Sequence, residues 1–344
     1  MDIDEFDYTL PERLIAQEPS PERDMSRMMI VKRTEETISA GHFRQLPDYL
    51  EKGDVLVIND SKVIPARLYG RKDTGSVIEI LLLARQDFYD EAVWEVLLKP
   101  AKRVRVGATI FFGSGVRGQL IDRKGDKKWL LRFDMDAPLE SFLEEHGSMP
   151  LPPYIKRRKA DMTVSDDRQR YQTLYARIPG SVAAPTAGLH FSTGMFQQLR
   201  GLGIPVVSVT LHIGYGTFMP VTAKKVRDHV MDEEFFEVSS EAAEMINTAE
   251  RVIAVGTTST RVIEAATGED GRVKPGSGRT RLFIYPGYRF RRMGALLTNF
   301  HLPRSSLFLL VCAFAGSALM QRAYRQAVEE EFRFYSYGDC MFIL

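Results

Sequence analysis

The feature that most restricts how this chain can fold is a change of rhythm between Val63 and about Phe133. Short runs of β-type residues recur there, at Val63–Leu68, Val77–Leu83, Val93–Leu98, Thr109–Phe112, Val116–Ile121 and Trp129–Phe133. Gly70, Gly75, Gly107, Gly113, Gly115, Gly118 and Gly125 fall between or beside them and suit turns. No helical period appears before Leu139–Glu145. Even spacing with frequent glycine predicts a small β-barrel or sandwich. The flanks read differently. Residues 1–61 are turn-rich, with Pro11, Pro19, Pro21 and Pro47, until Val55–Ile58 predicts a buried strand closed by the polar turn Asn59-Asp60-Ser61-Lys62. From about Leu151 strands and helices alternate. Helices are expected at Thr193–Arg200, from a Ser239 or Ser240 start, at Thr258–Ala266, from Ser305 or Ser306 through Ala315, and at Ala318–Glu330. Strands are expected at Ile204–Thr210, Arg251–Val255, Leu282–Tyr285 and Met341–Leu344. An all-β stretch interrupting an α/β pattern predicts an α/β domain built from residues 1–62 and 150–344, with a smaller inserted β-barrel over 63–149.

A length of 344 residues suits about two domains at roughly 150 residues each. With 44% hydrophobic and 26% charged residues the chain is globular, not disordered. Cys312 and Cys340 form no CxxC pair, which argues against a disulfide framework and a thiolate zinc site. Met1-Asp2-Ile3-Asp4-Glu5 is acidic with no apolar stretch behind it, so no signal peptide is expected. The longest apolar run, Leu307–Ala315, is far below the roughly 18 residues of a membrane span. A cytoplasmic, metal-free protein without membrane attachment is expected, a monomer rather than an obligate oligomer. Net charge is only +1, but it is segregated. Asp228 to Glu250 holds eight acids and no Lys or Arg, whereas Gly271 to Arg325 holds ten Lys or Arg and no acid. Further basic clusters are Lys99, Lys102, Arg103, Arg105 and Lys156, Arg157, Arg158, Lys159. Such a chain can turn a basic face toward a polyanion.

Several loops carry chemistry-bearing residues. Gly256-Thr257-Thr258-Ser259-Thr260-Arg261 follows a strand and opens a helix, which offers N–H groups and hydroxyls to an anion or a sugar. It lacks the endings of the P-loop and of the dinucleotide fingerprint. His212-Ile213-Gly214-Tyr215-Gly216-Thr217-Phe218 lets backbone approach a ligand beside an aromatic ring. Ala183–Phe191 is a loop of small residues ending near His190, and His190, His212, His229 and His301 all fall in one half of the chain. Histidine exchanges protons near neutral pH. Asp228 beside His229 could fix its tautomer, within a segment reading Asp228-His229-Val230-Met231-Asp232-Glu233-Glu234. Phe283 to Arg292 interleaves aromatics with Arg289, Arg291 and Arg292, a composition that stacks on bases and pairs with phosphates. Residues and spacing alone reach an α/β domain with a barrel insert and an anionic or nucleotide ligand.

The motifs in their order resemble the S-adenosylmethionine:tRNA ribosyltransferase-isomerase family of queuosine biosynthesis. The similarity starts at Asp7-Tyr8-x-Leu10-Pro11 and Ser26-Arg27, and includes Asn59-Asp60-Ser61-Lys62-Val63-Ile64-Pro65-Ala66-Arg67-Leu68 and Ala184-Pro185-Thr186-Ala187-Gly188-Leu189-His190-Phe191. It continues through His212-x-Gly214-x-Gly216-Thr217-Phe218, Val255-Gly256-Thr257-Thr258 and Phe283-Ile284-Tyr285-Pro286-Gly287-Tyr288. It ends with Thr298-Asn299-Phe300-His301-Leu302-Pro303 and Phe334-Tyr335-Ser336-Tyr337-Gly338-Asp339. Asp232 stands where the family usually has histidine, Arg281 where an acid is common, and Met293-Gly294 where Val-Asp is usual.

The resemblance implies an α/β domain with an inserted barrel. It implies transfer and isomerisation of the ribosyl group of S-adenosylmethionine onto 7-aminomethyl-7-deazaguanine at the tRNA wobble position. The product is epoxyqueuosine-tRNA, with release of adenine and methionine. The sulfonium makes the ribose 5′-CH2 acidic, so a positioned base must take that proton, and adenine departs more easily when its ring nitrogens are protonated or hydrogen-bonded. His190, His212 and His229 with Asp228 are the candidates for proton transfer. Gly214, Gly216, Thr217, Gly256, Thr257, Thr258, Asn299 and His301 are candidates for holding S-adenosylmethionine as co-substrate. Lys156, Arg157, Arg158, Lys159, Arg289, Arg291 and Arg292 are candidates for the tRNA backbone. Two rivals share parts of this pattern: an enzyme acting on a free nucleotide without RNA, and a non-catalytic RNA-binding protein built on the barrel.

Overall fold

Runs of fully buried aliphatic residues set the centre of the molecule. Asp54–Asn59 and Ala295–Asn299 are buried at every position, as strands covered on both faces must be. The computed structural model describes residues 1–86, 92–102, 104–125, 127–157 and 165–344. In chain order the strands begin with β1 (Arg27–Lys32), β2 (Thr37–His42), β3 (Asp54–Asn59) and β4 (Ser61–Val63). Next come β5 (Arg67–Lys72), β6 (Val77–Arg85), β7 (Val93–Lys99), β8 (Thr109–Phe111), β9 (Arg117–Lys124) and β10 (Lys128–Asp134). Helices α1 (Leu139–His146) and α2 (Ser165–Arg170) lead back to β11 (Ile178–Ser181), α3 (Thr193–Gly201), β12 (Val206–Leu211) and β13 (Glu234–Val238). Then follow α4 (Ser240–Thr248), β14 (Arg251–Val255), α5 (Gly256–Ala266), β15 (Gly276–Thr280) and β16 (Ala295–Asn299). Helices α6 (Ser306–Ala315) and α7 (Ser317–Glu329) precede β17 (Cys340–Ile343).

Nine strands form one sheet in the order β15-β13-β12-β3-β14-β16-β17-β1-β2. Neighbours from β12 to β16 are parallel, and β17 enters antiparallel to β16 and parallel to β1. Helices α4, α5, α6 and α7 contribute to the core on one face, and α3 covers the other. Ser192, Ser239 and Ser305 cap α3, α4 and α6 by accepting main-chain N–H bonds at 3.1 Å each. Among the described residues no single helix is long and apolar enough to cross a membrane.

Strands β5 to β10 close into an antiparallel barrel in the order β10-β7-β6-β5-β8-β9. Its interior holds Leu68, Ile80, Leu82, Ile110, Leu120 and Leu131, all essentially without exposure. Gly70 and Gly118 are not turn glycines. They lie inside β5 and β9, where an added Cβ would come within 2.4 Å of Ile110 and 2.8 Å of Leu131. Glycine inside a strand marks close approach.

Two further expectations change. The turn-rich opening contains β1 and β2, which pair with each other, and β1 pairs on its other side with β17. Leu282–Tyr285 is no strand; the pairing segment is Gly276–Thr280, against β13. Leu282 and Tyr285 are only partly buried, and the Leu282 carbonyl accepts from a side chain, Arg261 Nε, at 3.1 Å. Thr298 and Asn299 end strand β16.

Candidate functional site

Three parallel strands, β12, β14 and β16, deliver their carboxyl ends to one cleft, the usual location of ligands in an open α/β sheet. The cleft takes in about 650 Å³, part of it open to solvent. Gly256, at φ +90°, makes the turn from β14 into α5, a conformation that side chains other than glycine seldom adopt. The first turn of α5 then presents Thr257 and Thr258 to the cleft. Thr258 Oγ1 is buried and has no hydrogen-bond partner among the described residues.

Asn299, 2% exposed, closes the opposite side. Its Nδ2 faces the carbonyls of Tyr335 at 3.1 Å and Asp339 at 3.3 Å, and His190 Nε2 at 3.1 Å. Those carbonyls can only accept, so they fix the amide nitrogen toward them. Oδ1 is left buried and unpaired. His301 sits two residues on. Its Nε2 is 2.8 Å from Thr298 Oγ1, its N–H donates to Tyr324 Oη at 3.0 Å, and its carbonyl accepts from Tyr8 Oη. Burial pushes the imidazole down to about 3, so His301 is neutral at physiological pH. Tyr8, Tyr324 and Phe308 hold this loop through ring contacts of 4.6–5.3 Å.

Tyr335 adopts φ +71°, in the left-handed region that bulky residues avoid. Its N–H to Phe300 O, at 3.2 Å, and its carbonyl bond from Asn299 hold it there. Its ring lies 4.5 Å from that of Tyr154, whose hydroxyl meets Ser336 Oγ at 2.7 Å. Tyr154, Tyr335 and Ser336 all line the cleft, although the sequence reading gave none of them a role. The Phe334–Asp339 block was a signal of position only, because nothing in its composition marks it as chemical.

Six candidates for holding the co-substrate, Thr217, Gly256, Thr257, Thr258, Asn299 and His301, line this cleft together. Gly214 and Gly216 lie behind it. The Gly214 N–H donates to Glu234 Oε1 at 3.0 Å, and Gly216 packs on the Asp232 carboxylate, which a Cβ would meet at 2.5 Å. Glu234 is itself ion-paired to Arg261 in the interior, a pair the sequence reading missed.

The histidines proposed for proton transfer do not meet. His190 is buried between Ser26 Oγ, 2.9 Å from Nδ1, and Asn299. An amide nitrogen only donates, so Nε2 accepts and the ring proton sits on Nδ1. Burial, with Arg23 and Arg333 nearby, pushes it to about 3. Its accessible edge belongs to a second cleft of about 270 Å³, which shares Ser336 with the first. His212 is elsewhere, stacked on Phe235, with Nδ1 2.8 Å from Ser61 Oγ and Ser61 2.6 Å from Ser181. Burial lowers its pKa while Asp60 opposes the shift. Asn59 and Asp60 brace that corner. Asn59 Oδ1 accepts from Ser61 N and Leu211 N, and Asp60 takes Thr210 Oγ1 at 2.7 Å and Arg177 at 2.8 Å. His229 is half-buried against Phe283, ring centroids 5.0 Å apart. Asp228 makes no hydrogen bond to it and pairs with Arg227 at 3.7 Å. Asp232 reaches Lys128 of the barrel at 3.5 Å.

Most of the basic candidates are occupied. Lys156 pairs with Glu12, and Arg157 binds Asp167 through two bonds of 2.8 and 2.9 Å. Arg291 donates to Thr267 O at 2.7 Å and Arg292 to Ile246 O and Ala249 O, closing the carboxyl ends of α5 and α4. Arg289 alone of these is exposed and without a partner among the described residues. Arg158 and Lys159 lie outside the described residues.

Comparison with known proteins gives one consistent picture. A family model described as "Queuosine biosynthesis protein" matches residues 3–343. The S-adenosylmethionine:tRNA ribosyltransferase-isomerase of Syntrophus aciditrophicus is 56% identical over the whole of both chains, and that of Desulforamulus reducens is 50% identical over the same extent. The crystal structure of S-adenosylmethionine tRNA ribosyltransferase from Thermotoga maritima is 35% identical, with TM-score 0.56, covering 99% of this chain and 100% of that one.

Proposed function

The chain belongs to the queuosine biosynthesis protein family, and from that premise we propose that it transfers and isomerises the ribosyl group of S-adenosylmethionine onto 7-aminomethyl-7-deazaguanine in tRNA. The product is epoxyqueuosine-tRNA, with adenine and methionine released. S-adenosylmethionine is the ribosyl donor, tRNA the acceptor, the cytoplasm the place of work and a monomer the working unit. Residues 63–149 are the inserted unit.

One observation carries the assignment of the reaction to the larger cleft. Two polar atoms, Thr258 Oγ1 and Asn299 Oδ1, are buried in its wall without partners. An unsatisfied buried group costs about 1–3 kcal/mol, so such a pair is retained where a ligand satisfies it. Asn299 Oδ1 is a fixed acceptor and requires an N–H or O–H donor, which the amines and hydroxyls of both substrates provide. Thr258 Oγ1, at the amino end of α5, suits a sugar hydroxyl or a carboxylate. His301 is the neutral imidazole in the wall, and we assign proton transfer to it ahead of His190, whose two nitrogens are both engaged. The Tyr154 and Tyr335 rings, packed against each other at a tilt, offer an apolar wall to a flat base.

The test supplies S-adenosylmethionine labelled in the ribose together with tRNA bearing 7-aminomethyl-7-deazaguanine. Equal amounts of released adenine and labelled tRNA are expected. Adenine without labelled tRNA would instead mean cleavage of a free nucleoside, and tRNA binding without either product would mean a non-catalytic RNA-binding protein.

A further inference from the structure

Behind His190 lies the smaller cleft, bordered by Arg23 and Arg170. Both guanidinium groups are held by main-chain carbonyls. Arg23 donates to Leu189 O at 3.1 Å, Gln172 O at 2.9 Å and Gln169 O at 3.2 Å, and Arg170 donates to Pro21 O at 3.1 Å and to Ser20 O. Carbonyls fix orientation but cancel no charge. Among the described residues neither arginine has a carboxylate within 4 Å, unlike Arg157 and Arg177, which are paired with Asp167 and Asp60. Arg333 adds a third cation nearby, its guanidinium bound to the carbonyl of Glu18. Burial, and then the neighbouring Arg170, lower the pKa of Arg23.

Two arginines oriented by neutral acceptors, with no paired carboxylate among the described residues, form a ready seat for an anion. The position of the seat narrows the choice. Ser336 borders both clefts, and the His190–Asn299 contact of 3.1 Å spans the wall between them. An anion here stands one side chain away from the cleft assigned to ribosyl transfer. A nucleic acid with its base in that cleft carries a phosphodiester within such reach, so the two sites fit one polymer. We propose that the Arg23–Arg170 cleft seats one backbone phosphate of the tRNA beside the modified nucleotide. This rests on the function proposed above, and it replaces most of the basic residues that sequence alone offered.

The experiment measures tRNA binding by the full-length protein against salt concentration, for wild type, Arg170→Gln and Arg170→Lys. For Arg170→Gln, affinity about tenfold weaker at low salt and a log–log salt slope smaller by about 0.7–0.9 are expected. Arg170→Lys should keep most of the slope, and the KM for S-adenosylmethionine should be unchanged in both. A second measurement scans an anticodon stem-loop with single neutral methylphosphonates. Wild type should lose affinity at one dominant position, and Arg170→Gln should be insensitive there. The proposal is overturned by an unchanged slope in Arg170→Gln, by a rise in KM for S-adenosylmethionine in place of tRNA, or by a scan with no dominant phosphate. Wild type that binds no tRNA would sink the proposed function itself, and this site with it.

Discussion

Thr258 carries a hydroxyl that the folded chain leaves without a partner, so its removal should separate stability from activity. Thr258→Val keeps the side-chain shape and deletes the unpaired oxygen. Equilibrium unfolding should show stability unchanged or raised by up to about 1 kcal/mol, while KM for S-adenosylmethionine rises about tenfold. A loss of stability with normal KM would remove Thr258 from the site. His190 makes a second prediction. Its pKa is about 3 when folded and about 6.5 when unfolded, so the unfolded chain binds the extra proton between those values. Stability is therefore full above about pH 6.5 and is lost as pH falls toward 3. In His190→Gln the slope of unfolding free energy between pH 6 and 4 should drop by about 1.4 kcal/mol per pH unit. An unchanged slope would mean His190 is not buried neutral. The sequence marks His190, His212 and His301 as chemically interesting. The ring partners of His190 and His212 were illegible, because Ser26, Asn299 and Ser61 lie 109 to 164 positions away from the rings they touch. Only the folded chain shows that His190 and His212 are braced apart while His301 faces the cleft.

At the scale of elements, Arg291 and Arg292 show why charge patterns mislead. Their spacing beside aromatic residues matched an RNA-binding surface, yet both guanidiniums close helix ends. Arg292→Met should cost about 1–3 kcal/mol in urea unfolding and leave the salt dependence of tRNA binding unchanged. A reduced salt slope would return Arg292 to the RNA surface. Elements with local signals were legible. Ser192, Ser239 and Ser305 announce helices by a cap that lies beside them in sequence. The barrel was legible because each of its strands pairs with a neighbour in sequence, β5–β6 and β8–β9 across turns with positive-φ glycines such as Gly75 and Gly113, and only β5–β8 and β7–β10 close it at longer range. Strands β1 and β2 were not, because β1 is completed by β17, with Met28 paired to Cys340. Surrounding prolines outweighed the buried Met28–Val31 run. Leu282–Tyr285 was misread for the opposite reason: its aromatic and branched residues favour a strand, but it packs as an extended connection without a ladder.

Across the whole molecule, the barrel and the α/β domain meet beside the site. Tyr215 packs against the cores of both, Lys128 reaches Asp232, and Thr217, two residues beyond Tyr215, lines the cleft. The order in which strands enter the sheet has a further consequence, for biosynthesis. The barrel runs without interruption from Arg67 to Asp134, so every strand it needs has been made before the second half of the chain exists. The nine-stranded sheet cannot assemble that way. Its last strand in chain order, β17, separates β16 from β1, so two early strands wait for residues 340–343 before they can join. Long-range pairing of this kind is slow and leaves strand edges open meanwhile. Translation stalled before Cys340 should yield a protease-resistant barrel and a digestible β1–β2 hairpin, read by limited proteolysis of the nascent chain. On a ribosome, β1 and β2 would be early passengers in need of shelter, and an organism making much of this protein would depend on chaperones at the amino end more than at the insert.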